Sequence, residues 1–440
     1  MSFELIIRNG VCLLPWGKAE VDIGILDGKI AALEKLSAAD AAEVFDAGGL
    51  YILPGFIDTH VHWREPGLTH KEDMASGSAE AALGGVTSVF EMPNTSPPTT
   101  QPELLAQKLS LAQNRCRTDF AFFLGATADN LPFLAEWECM PGCAGIKLFL
   151  GSSTGSLLLN DERLLSNLLQ PGRRRIACHL EDENRLVERK ALAQAGKPET
   201  HPLWRDETSA FLATQKLLAL AKRNGARVHI LHLSTEEELA LLKEARAFAT
   251  AEVTPQHLLL SAPECYERLG TFAQINPPLR AARHARALWK ALHAGLIDCL
   301  GTDHAPHTRE EKAKPYPQSP SGMPGLSTFL PLMLHQVAQG HLTLEQLVEL
   351  TAHGPARVFG IRRKGRLSVG YDADLVLVDL QKKQTVDASP TRCGWSAFDG
   401  LSLQGWPVGT LLRGKWIARE AELMGKPSGQ PIEFDDTRAV

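Results

Sequence analysis

The chain has 440 residues, of which 44% are hydrophobic, and its formal net charge is -5. This length suffices for one large barrel with an accessory unit, or for two or three average domains. Charges of both signs are spread along the sequence without a block of one sign. This pattern argues against a nucleic acid or an anionic membrane as the main partner and favours a small molecule.

The first eight residues lack the basic start and the long apolar run of a signal peptide, and no stretch approaches the length of a membrane helix. We therefore expect a cytoplasmic protein. The eight cysteines form no Cys-x-x-Cys pair, which is typical of reduced structural thiols.

The pattern of apolar residues divides the chain into three parts. Residues 1–52 are predicted to form short strands and turns, with a hairpin signal at Asp27-Gly28. In residues 53–360 apolar strands alternate with amphipathic helices, which is typical of a parallel sheet with crossover helices. Residues 361–440 return to turns and strands, and we expect this tail to complete the N-terminal part as one small β-sandwich.

Eight strands are predicted in the central part, with helices such as Glu207–Arg223 between them. The strands are Phe56–His62, Val86–Asn94, Phe120–Ala126, Gly145–Gly151, Ile176–Asp182, Val228–Ser234, Phe248–Pro255 and Asp298–Pro306. Eight such repeats predict an α/β fold of the (β/α)8 TIM barrel class, whose chemistry lies at the C-terminal ends of its strands.

Polar side chains occur at those strand ends. His60 and His62 lie on one face of strand one, because side chains on a strand repeat with period two. Alone, this pair is equally compatible with two ordinary histidines. Further polar residues lie in or just beyond other strands, where burial is costly unless they are paired or bound to metal. They are Asn94, Lys147, His179, His232 and Asp303.

Four histidines, a lysine and an aspartate at one barrel mouth can hold two divalent metal ions, provided that the lysine becomes an acceptor. Neutral Lys147 would do so after reaction with carbon dioxide, which gives a carbamate that can bridge two metals. A lysine that reaches out to solvent is the alternative. Two metals would generate a bridging hydroxide, and Asp303 would move its proton to the leaving nitrogen, which predicts hydrolysis of an amide, ester or phosphoester.

Arg64 lies two positions beyond His62 and is well placed to bind a substrate carboxylate with two hydrogen bonds. Pairing with Glu65 is the alternative for this arginine. Asn94 and His307 offer further hydrogen-bonding groups on neighbouring strand ends, with hydrogen bonds inside the loops as their alternative.

Several short motifs follow one another in order along the chain, and they are specific as a set. They are Asp58–Gly67, Met92–Thr95, Gly145–Phe149, His179–Glu181, Leu231–Thr235, Asn276–Arg280 and Gly301–His307, followed by the β segment Gly365–Asp379. This series resembles the amidohydrolase superfamily and, within it, the dihydroorotase family with a lysine-bridged metal pair.

The resemblance implies reversible cyclisation of N-carbamoyl-L-aspartate to L-dihydroorotate in de novo pyrimidine (UMP) biosynthesis, with a homodimer expected and aspartate transcarbamoylase as a candidate partner. It implies two zinc ions, with Asp303 as acid and base. The implied metal ligands are His60, His62, carboxylated Lys147, His179, His232 and Asp303. The implied substrate contacts are Arg64, Asn94 and His307 around the carboxylate, and Asn276 and the loop near Gly322 around the ring.

One position departs from the pattern. Where Thr-Pro-His-His is expected after strand seven, the chain has Thr254-Pro255-Gln256-His257, so any role of that position is weakened or taken over by His257. Two alternatives to the implied function stay open. One is an allantoinase or hydantoinase type of cyclic amidase, against which Arg64 argues. The other is a non-catalytic scaffold for aspartate transcarbamoylase, which would be expected to lose metal ligands.

Overall fold

A computed structural model of the chain describes residues 2–37, 40–151, 157–388 and 390–436. Its central element is an eight-stranded sheet in which every neighbouring pair is parallel, in the order β15-β14-β13-β12-β11-β10-β9-β8. The strands are Phe56–Val61 (β8), Val86–Glu91 (β9), Asp119–Gly125 (β10), Cys143–Leu150 (β11), Ile176–Leu180 (β12), Val228–Ile230 (β13), Ala249–Val253 (β14) and Cys299–Leu300 (β15).

The sheet closes into a barrel between its first and last strands. The backbone N–H of His62 donates to the carbonyl of His304 at 2.7 Å, and Val61 forms a parallel bridge with His304. Every residue of these eight strands is buried, as expected for strands covered on both faces. The predicted TIM barrel is therefore confirmed.

Helices surround the barrel. They are Met74–Leu83 (α1), Pro102–Ala112 (α2), Leu134–Trp137 (α3), Glu162–Leu168 (α4), Glu183–Arg189 (α5), His201–Trp204 (α6), Glu207–Asn224 (α7), Glu237–Glu244 (α8), Pro255–Leu259 (α9), Glu264–Leu269 (α10), Ala282–His293 (α11), Arg309–Lys312 (α12), Leu326–Ala338 (α13), Leu344–Val348 (α14) and Gly354–Phe359 (α15). None of the helices in the described part of the chain is long and apolar enough to span a bilayer.

Two barrel strands are shorter than predicted by four residues or more. The sixth ends at Ile230 rather than Ser234, and the eighth covers Cys299–Leu300 rather than Asp298–Pro306. In each case the chain leaves the extended conformation at a polar residue with positive φ, 36° at His232 and 47° at Asp303. The left-handed region is costly for residues with a Cβ and ends strand pairing.

A second unit is built from both chain ends, as predicted. Its strands are Phe3–Arg8 (β1), Val11–Leu14 (β2), Gly17–Ala19 (β3), Asp22–Leu26 (β4), Lys29–Glu34 (β5), Ala41–Asp46 (β6), Tyr51–Pro54 (β7), Leu375–Thr385 (β16), Ser402–Leu412 (β17), Lys415–Arg419 (β18) and Glu422–Leu423 (β19). One sheet has the order β5-β4-β1-β6, and the other has the order β19-β18-β17-β16-β7-β2-β3. A shared apolar core with residues such as Ile7, Ile25, Leu375 and Leu411 joins the two sheets into a sandwich. The division of the chain at residues 52 and 360 stays a prediction.

The connection between β16 and β17 leaves the sandwich and packs on the mouth of the barrel. Its residues Trp395 and Phe398 share an apolar cluster with Tyr266 of α10, in the segment after β14, and with Met323, in the loop after β15. The indole Nε1–H of Trp395 donates to the carbonyl of His307 at 2.7 Å. The second unit thus contributes to the face on which a TIM barrel carries its chemistry.

A buried charge cluster joins the sandwich to the opposite end of the barrel. Lys364 Nζ lies 2.7 Å from a carboxylate oxygen of Asp119, at the start of β10, and 2.6 Å from one of Asp374, just before β16. Arg413 adds a second cation, 2.6 Å from Asp119. Burial alone would lower the pKa of Lys364, but the carboxylates outweigh it and raise the pKa above its ordinary value. The lysine is therefore held in its charged form.

We expect Lys364→Ala to lower the free energy of unfolding by roughly 3–5 kcal/mol, because it leaves two buried carboxylates without their shared cation. Thermal and denaturant unfolding measure the effect. Arg362→Ala is the matched control, since the side chain of Arg362 forms an exposed ion pair with Glu433 at 3.8 Å, and such pairs contribute about 0–1 kcal/mol. Equal losses for the two variants would contradict this account of the interface.

Candidate active site

A cavity of about 130 Å³ opens at the C-terminal mouth of the barrel. It gathers ten of the eleven predicted site residues, although they come from separate strands and loops. The lining residues are His60, His62, Arg64, Asn94, Lys147, Phe149, His179, His232, Asn276, Asp303, Ala305, Ser321 and Gly322. The structure therefore brings all six predicted metal ligands into one cavity.

Two histidines of the first strand converge on Asp303. Oδ1 of Asp303 lies 3.2 Å from Nε2 of His60 and 3.1 Å from Nε2 of His62. Ligands of a tetrahedral zinc ion with bonds of about 2.0–2.1 Å are about 3.3 Å apart. The spacing of these three atoms fits a shared cation.

The remaining two histidines form a second pair across the mouth. Nδ1 of His179 lies 2.9 Å from Nε2 of His232. The ligand atoms of His60, His232 and Asp303 all lie within 4.8 Å of one another, which connects the two pairs. Nδ1 of His232 is buried and has no hydrogen-bond partner among the described residues.

Partners behind the cavity fix the orientation of three imidazole rings. Nδ1 of His60 lies 2.6 Å from Glu252, Nδ1 of His62 lies 2.7 Å from Asn94 Oδ1, and Nε2 of His179 lies 2.9 Å from Glu181. Metal-binding histidines usually donate their second N–H to such oxygens. Sequence reasoning did not assign Glu252, although an acidic residue in the middle of the seventh buried strand is a signal for it.

These hydrogen bonds bring two imidazole nitrogens and a carboxylate face to face. Because an ionised Glu252 can only accept, His60 Nδ1 carries a proton, and Nε2 is the nitrogen that faces Asp303. Burial lowers the pKa of His62 to about 3, so this ring is neutral. Burial acts to raise the pKa of Asp303, but its interactions with His60 and His62 outweigh burial and hold this pKa well below its usual range. Two ring nitrogens and a carboxylate at this spacing share either a proton or a metal cation, so the donor set fits a metal.

Lys147 is 1% exposed, which rules out the alternative of a side chain that reaches solvent. Its Nζ lies 4.6 Å from the centre of the Phe149 ring, and among the described residues no carboxylate forms an ion pair with it. Burial lowers the pKa of Lys147 to about 8. A substantial fraction of this amine is therefore neutral near pH 8, and the neutral form is the nucleophilic one.

Arg64 is buried beside the cavity and does not pair with Glu65. Its Nε donates to the carbonyl of Pro306 at 3.1 Å, whereas Glu65 pairs with Arg115 at 2.8 Å. Burial lowers the pKa of Arg64, but an arginine stays charged in proteins. Among the described residues no carboxylate lies within ion-pair distance of its guanidinium. This cation faces the cavity without an anionic partner.

His307, the eleventh predicted residue, lies behind Arg64 and does not line the cavity. Its Nδ1 lies 3.1 Å from Lys71 Nζ, and its Nε2 lies 3.0 Å from the carbonyl of Ser321 and 3.2 Å from Nη2 of Arg64. Burial lowers the pKa of His307 well below its usual value, and the nearby cations Arg64 and Lys71 add to this effect. A neutral ring therefore packs between two cations and the loop after β15.

The wall formed by residues 321–322 comes very close to the backbone after β15. Gly322 has φ of 137°, and a Cβ at this position would lie 2.6 Å from the carbonyl oxygen of Ala305. Only glycine fits such a close approach. The predicted loop contact near Gly322 is thus part of the cavity.

Gln256, the residue that departs from the expected pattern, lies behind the cavity. Its Nε2 donates to the carbonyl of Thr302 at 2.6 Å. On the other side, the N–H and hydroxyl of Thr302 donate to Asp58 at 3.1 and 2.5 Å. Gln256 and Asp58 therefore hold Thr302 from two sides, directly before the left-handed Asp303. His257 is also buried and hydrogen-bonded outside the cavity lining.

Comparison with known proteins gives a consistent picture. The model of the Amidohydrolase family matches residues 51–124 and 173–417. A dihydroorotase of Methanosarcina acetivorans is 38% identical over 95% of this chain and 93% of its own length. An allantoinase of Deinococcus radiodurans is 34% identical over 98% of both chains. The solved structure of an L-hydantoinase (dihydropyrimidinase) from Arthrobacter aurescens superimposes with a TM-score of 0.92 at 32% identity, over 98% of this chain and 99% of the other.

The matches extend over nearly the whole chain and include both the barrel and the sandwich. Together with a cavity that collects histidines, a lysine and an aspartate at the C-terminal ends of barrel strands, they establish that the chain belongs to the amidohydrolase family.

Proposed function

We propose that this cyclic amidohydrolase is a dihydroorotase, which interconverts L-dihydroorotate and N-carbamoyl-L-aspartate in de novo pyrimidine biosynthesis. The observation that carries the proposal is Arg64, a buried cation beside the cavity without a carboxylate partner among the described residues. Burying a charge is costly unless it is paired. A substrate carboxylate would supply the missing partner.

The surroundings of Arg64 support a carboxylate subsite. With a metal ion on Nε2 of His62, Nδ1 would donate to Oδ1 of Asn94, and the NH2 group of Asn94 would be left to donate to a ligand. The carbonyl of Pro306 holds the Arg64 Nε, and His307 supports the guanidinium from behind. A guanidinium fixed in this way binds a carboxylate with little further loss of side-chain entropy.

We propose two zinc ions as the cofactors, with carboxylated Lys147 between them. The residues that would hold them are His60, His62, Lys147, His179, His232 and Asp303. Bound there, the two ions would supply an activated water and polarise the substrate carbonyl. The buried, partly neutral amine of Lys147 supports the carbamate, because that modification begins from the uncharged form.

Asp303 is the proposed acid and base. Its carboxylate is ionised and can accept a proton, and the metal ions, when bound, would lower the pKa of the attacking water that donates it. The water oxygen adds to the ring amide carbon, the ring C–N bond breaks, and Asp303 passes the proton to the departing nitrogen. That nitrogen becomes the NH2 of the carbamoyl group, and the reverse sequence closes the ring.

A second candidate is an enzyme for cyclic amides without a carboxylate. The likeness to an L-hydantoinase structure and to an allantoinase sequence favours it. The scaffold alternative has less support, because all six proposed ligands are present. A homodimer, an aspartate transcarbamoylase partner and a cytoplasmic location stay predictions.

Ring opening of L-dihydroorotate by the zinc-loaded protein, measured beside allantoin and hydantoin, tests the proposed substrate. We expect hydrolysis of dihydroorotate alone. Activity on the uncharged rings only would leave the metal site in place and overturn the dihydroorotase proposal. No activity on any ring, despite bound zinc, would favour the scaffold.

We expect Arg64→Gln to lower kcat/KM for dihydroorotate about a hundredfold, because it removes a charge-assisted hydrogen-bond pair to the carboxylate. Steady-state kinetics measure the change. Arg117→Gln is the matched control, since Arg117 donates to backbone carbonyls of residues 424 and 425 and does not line the cavity. An unchanged kcat/KM in Arg64→Gln would show that this arginine does not bind the carboxylate.

We expect Lys147→Ala to reduce bound zinc from two ions to one or none per chain and to abolish ring opening, because the bridging group is lost. Elemental analysis of the purified protein measures the zinc. Lys108→Ala is the control, since Lys108 is as buried as Lys147 but pairs with Glu91 outside the cavity lining. Full zinc content and activity in Lys147→Ala would rule out the carbamate.

A further inference from the structure

A buried histidine outside the cavity lining contacts the side chain of Asn276. His201 lies at the start of α6 and is 1% exposed. Its Nε2 is 3.0 Å from the carbonyl oxygen of Ile275 and 3.0 Å from Oδ1 of Asn276. No proposed role involves His201 so far, although it touches a residue of the cavity.

The chemistry of these contacts fixes the proton on the ring. A backbone carbonyl can only accept, so Nε2 of His201 must carry the hydrogen that faces Ile275 and Asn276. The atom of Asn276 that faces this N–H must then be its carbonyl oxygen, because the NH2 group would oppose a second donor. The orientation of the Asn276 amide follows from hydrogen-bond chemistry rather than from the similar shapes of its two ends.

The other ring nitrogen faces the loop after β15. The hydroxyl of Tyr316 lies 3.3 Å from Nδ1 of His201, which must act as the acceptor. Tyr316 is 1% exposed. Burial, together with the nearby charge of Arg205, lowers the pKa of His201 to about 3 and keeps the ring neutral.

The loop that carries Tyr316 is fixed by a dense set of hydrogen bonds. Nζ of Lys312 donates to the carbonyls of Gln274 and Pro320 at 3.1 and 2.9 Å. The side chain of Gln274 bonds both the hydroxyl and the carbonyl of Ser319. His201 is therefore held between a fixed loop and the cavity residue Asn276.

We propose that His201 is a positioning residue, which fixes the Asn276 amide so that its NH2 group donates to an oxygen atom of the cyclic amide substrate. The proposal rests on the proposed function, since it concerns the substrate of the same cavity. This orientation limits which group of the substrate can face Asn276. A ring carbonyl or carboxylate oxygen can accept a hydrogen bond from an NH2 group, whereas a ring N–H would oppose it.

The test compares two replacements of His201 in the zinc-loaded enzyme. His201→Leu removes the N–H donor and releases the amide, and we expect it to lower kcat/KM about tenfold. His201→Gln places an amide N–H near the position of Nε2, and we expect it to retain kcat/KM within about threefold of the parent. Equal losses in both variants would mean a merely structural role and overturn the proposal.

A double-mutant cycle with Asn276→Ala sharpens the test. If His201 acts through Asn276, His201→Leu will lower kcat/KM little further once the Asn276 amide is gone. Additive losses would overturn the proposal. His284→Leu is the matched control, because His284 is equally buried and hydrogen-bonded, to Glu236 and Glu207, but does not line the cavity. It is expected to lower the melting temperature while kcat/KM stays unchanged.

A measurement without substrate separates this proposal from the proposed function. Nitrogen-15 spectra of the histidine side chains report which ring nitrogen carries the proton. We expect His201 to be neutral, with its proton on Nε2, across pH 6–8. The signal of His201 is identified by its absence from the spectrum of His201→Gln. A proton on Nδ1, or a charged ring, would overturn the positioning role, whichever cyclic amide the enzyme opens.

Discussion

The site depends on one electrostatic constraint. Oδ1 of Asp303 lies within 3.2 Å of Nε2 of His60 and of Nε2 of His62, and Glu252 and Asn94 contact the Nδ1 atoms on the far sides of the two rings. These three polar atoms can share such a buried place only with a proton or a metal cation between them. The barrel closure, in which His62 pairs with His304, and the left-handed Asp303 both serve to bring these atoms together.

The two halves of the cavity require partners of opposite charge. On the metal side, excess negative character requires cations, and on the side of Arg64 an unpaired guanidinium requires an anion. A substrate with both an amide carbonyl and a carboxylate would match the two halves, since the carbonyl would face the metal ions and the carboxylate would pair with Arg64. A cyclic amide without a carboxylate, such as hydantoin or allantoin, would leave that guanidinium unpaired, and this favours dihydroorotate as the substrate.

Much of the fold followed from periodicity, because apolar strands at regular intervals with amphipathic helices between them have few other solutions. Polar residues in apolar strands likewise located the cavity. The early ends of the sixth and eighth strands, before the left-handed residues His232 and Asp303, were not predicted. A left-handed residue depends on contacts that are distant in sequence, such as the hydrogen bond from Gln256 to Thr302 beside Asp303. The position of His201 also depends on contacts more than 70 residues away in sequence, which no local pattern records.

The connection between β16 and β17 gives the sandwich a part in the barrel mouth. Trp395 holds the backbone of His307, while the candidate metal ligands all come from barrel strands and their ends. The connection therefore reaches the proposed carboxylate subsite through His307, which contacts Arg64. A change in its length or sequence can shift the support of that guanidinium without replacing any of the candidate metal ligands.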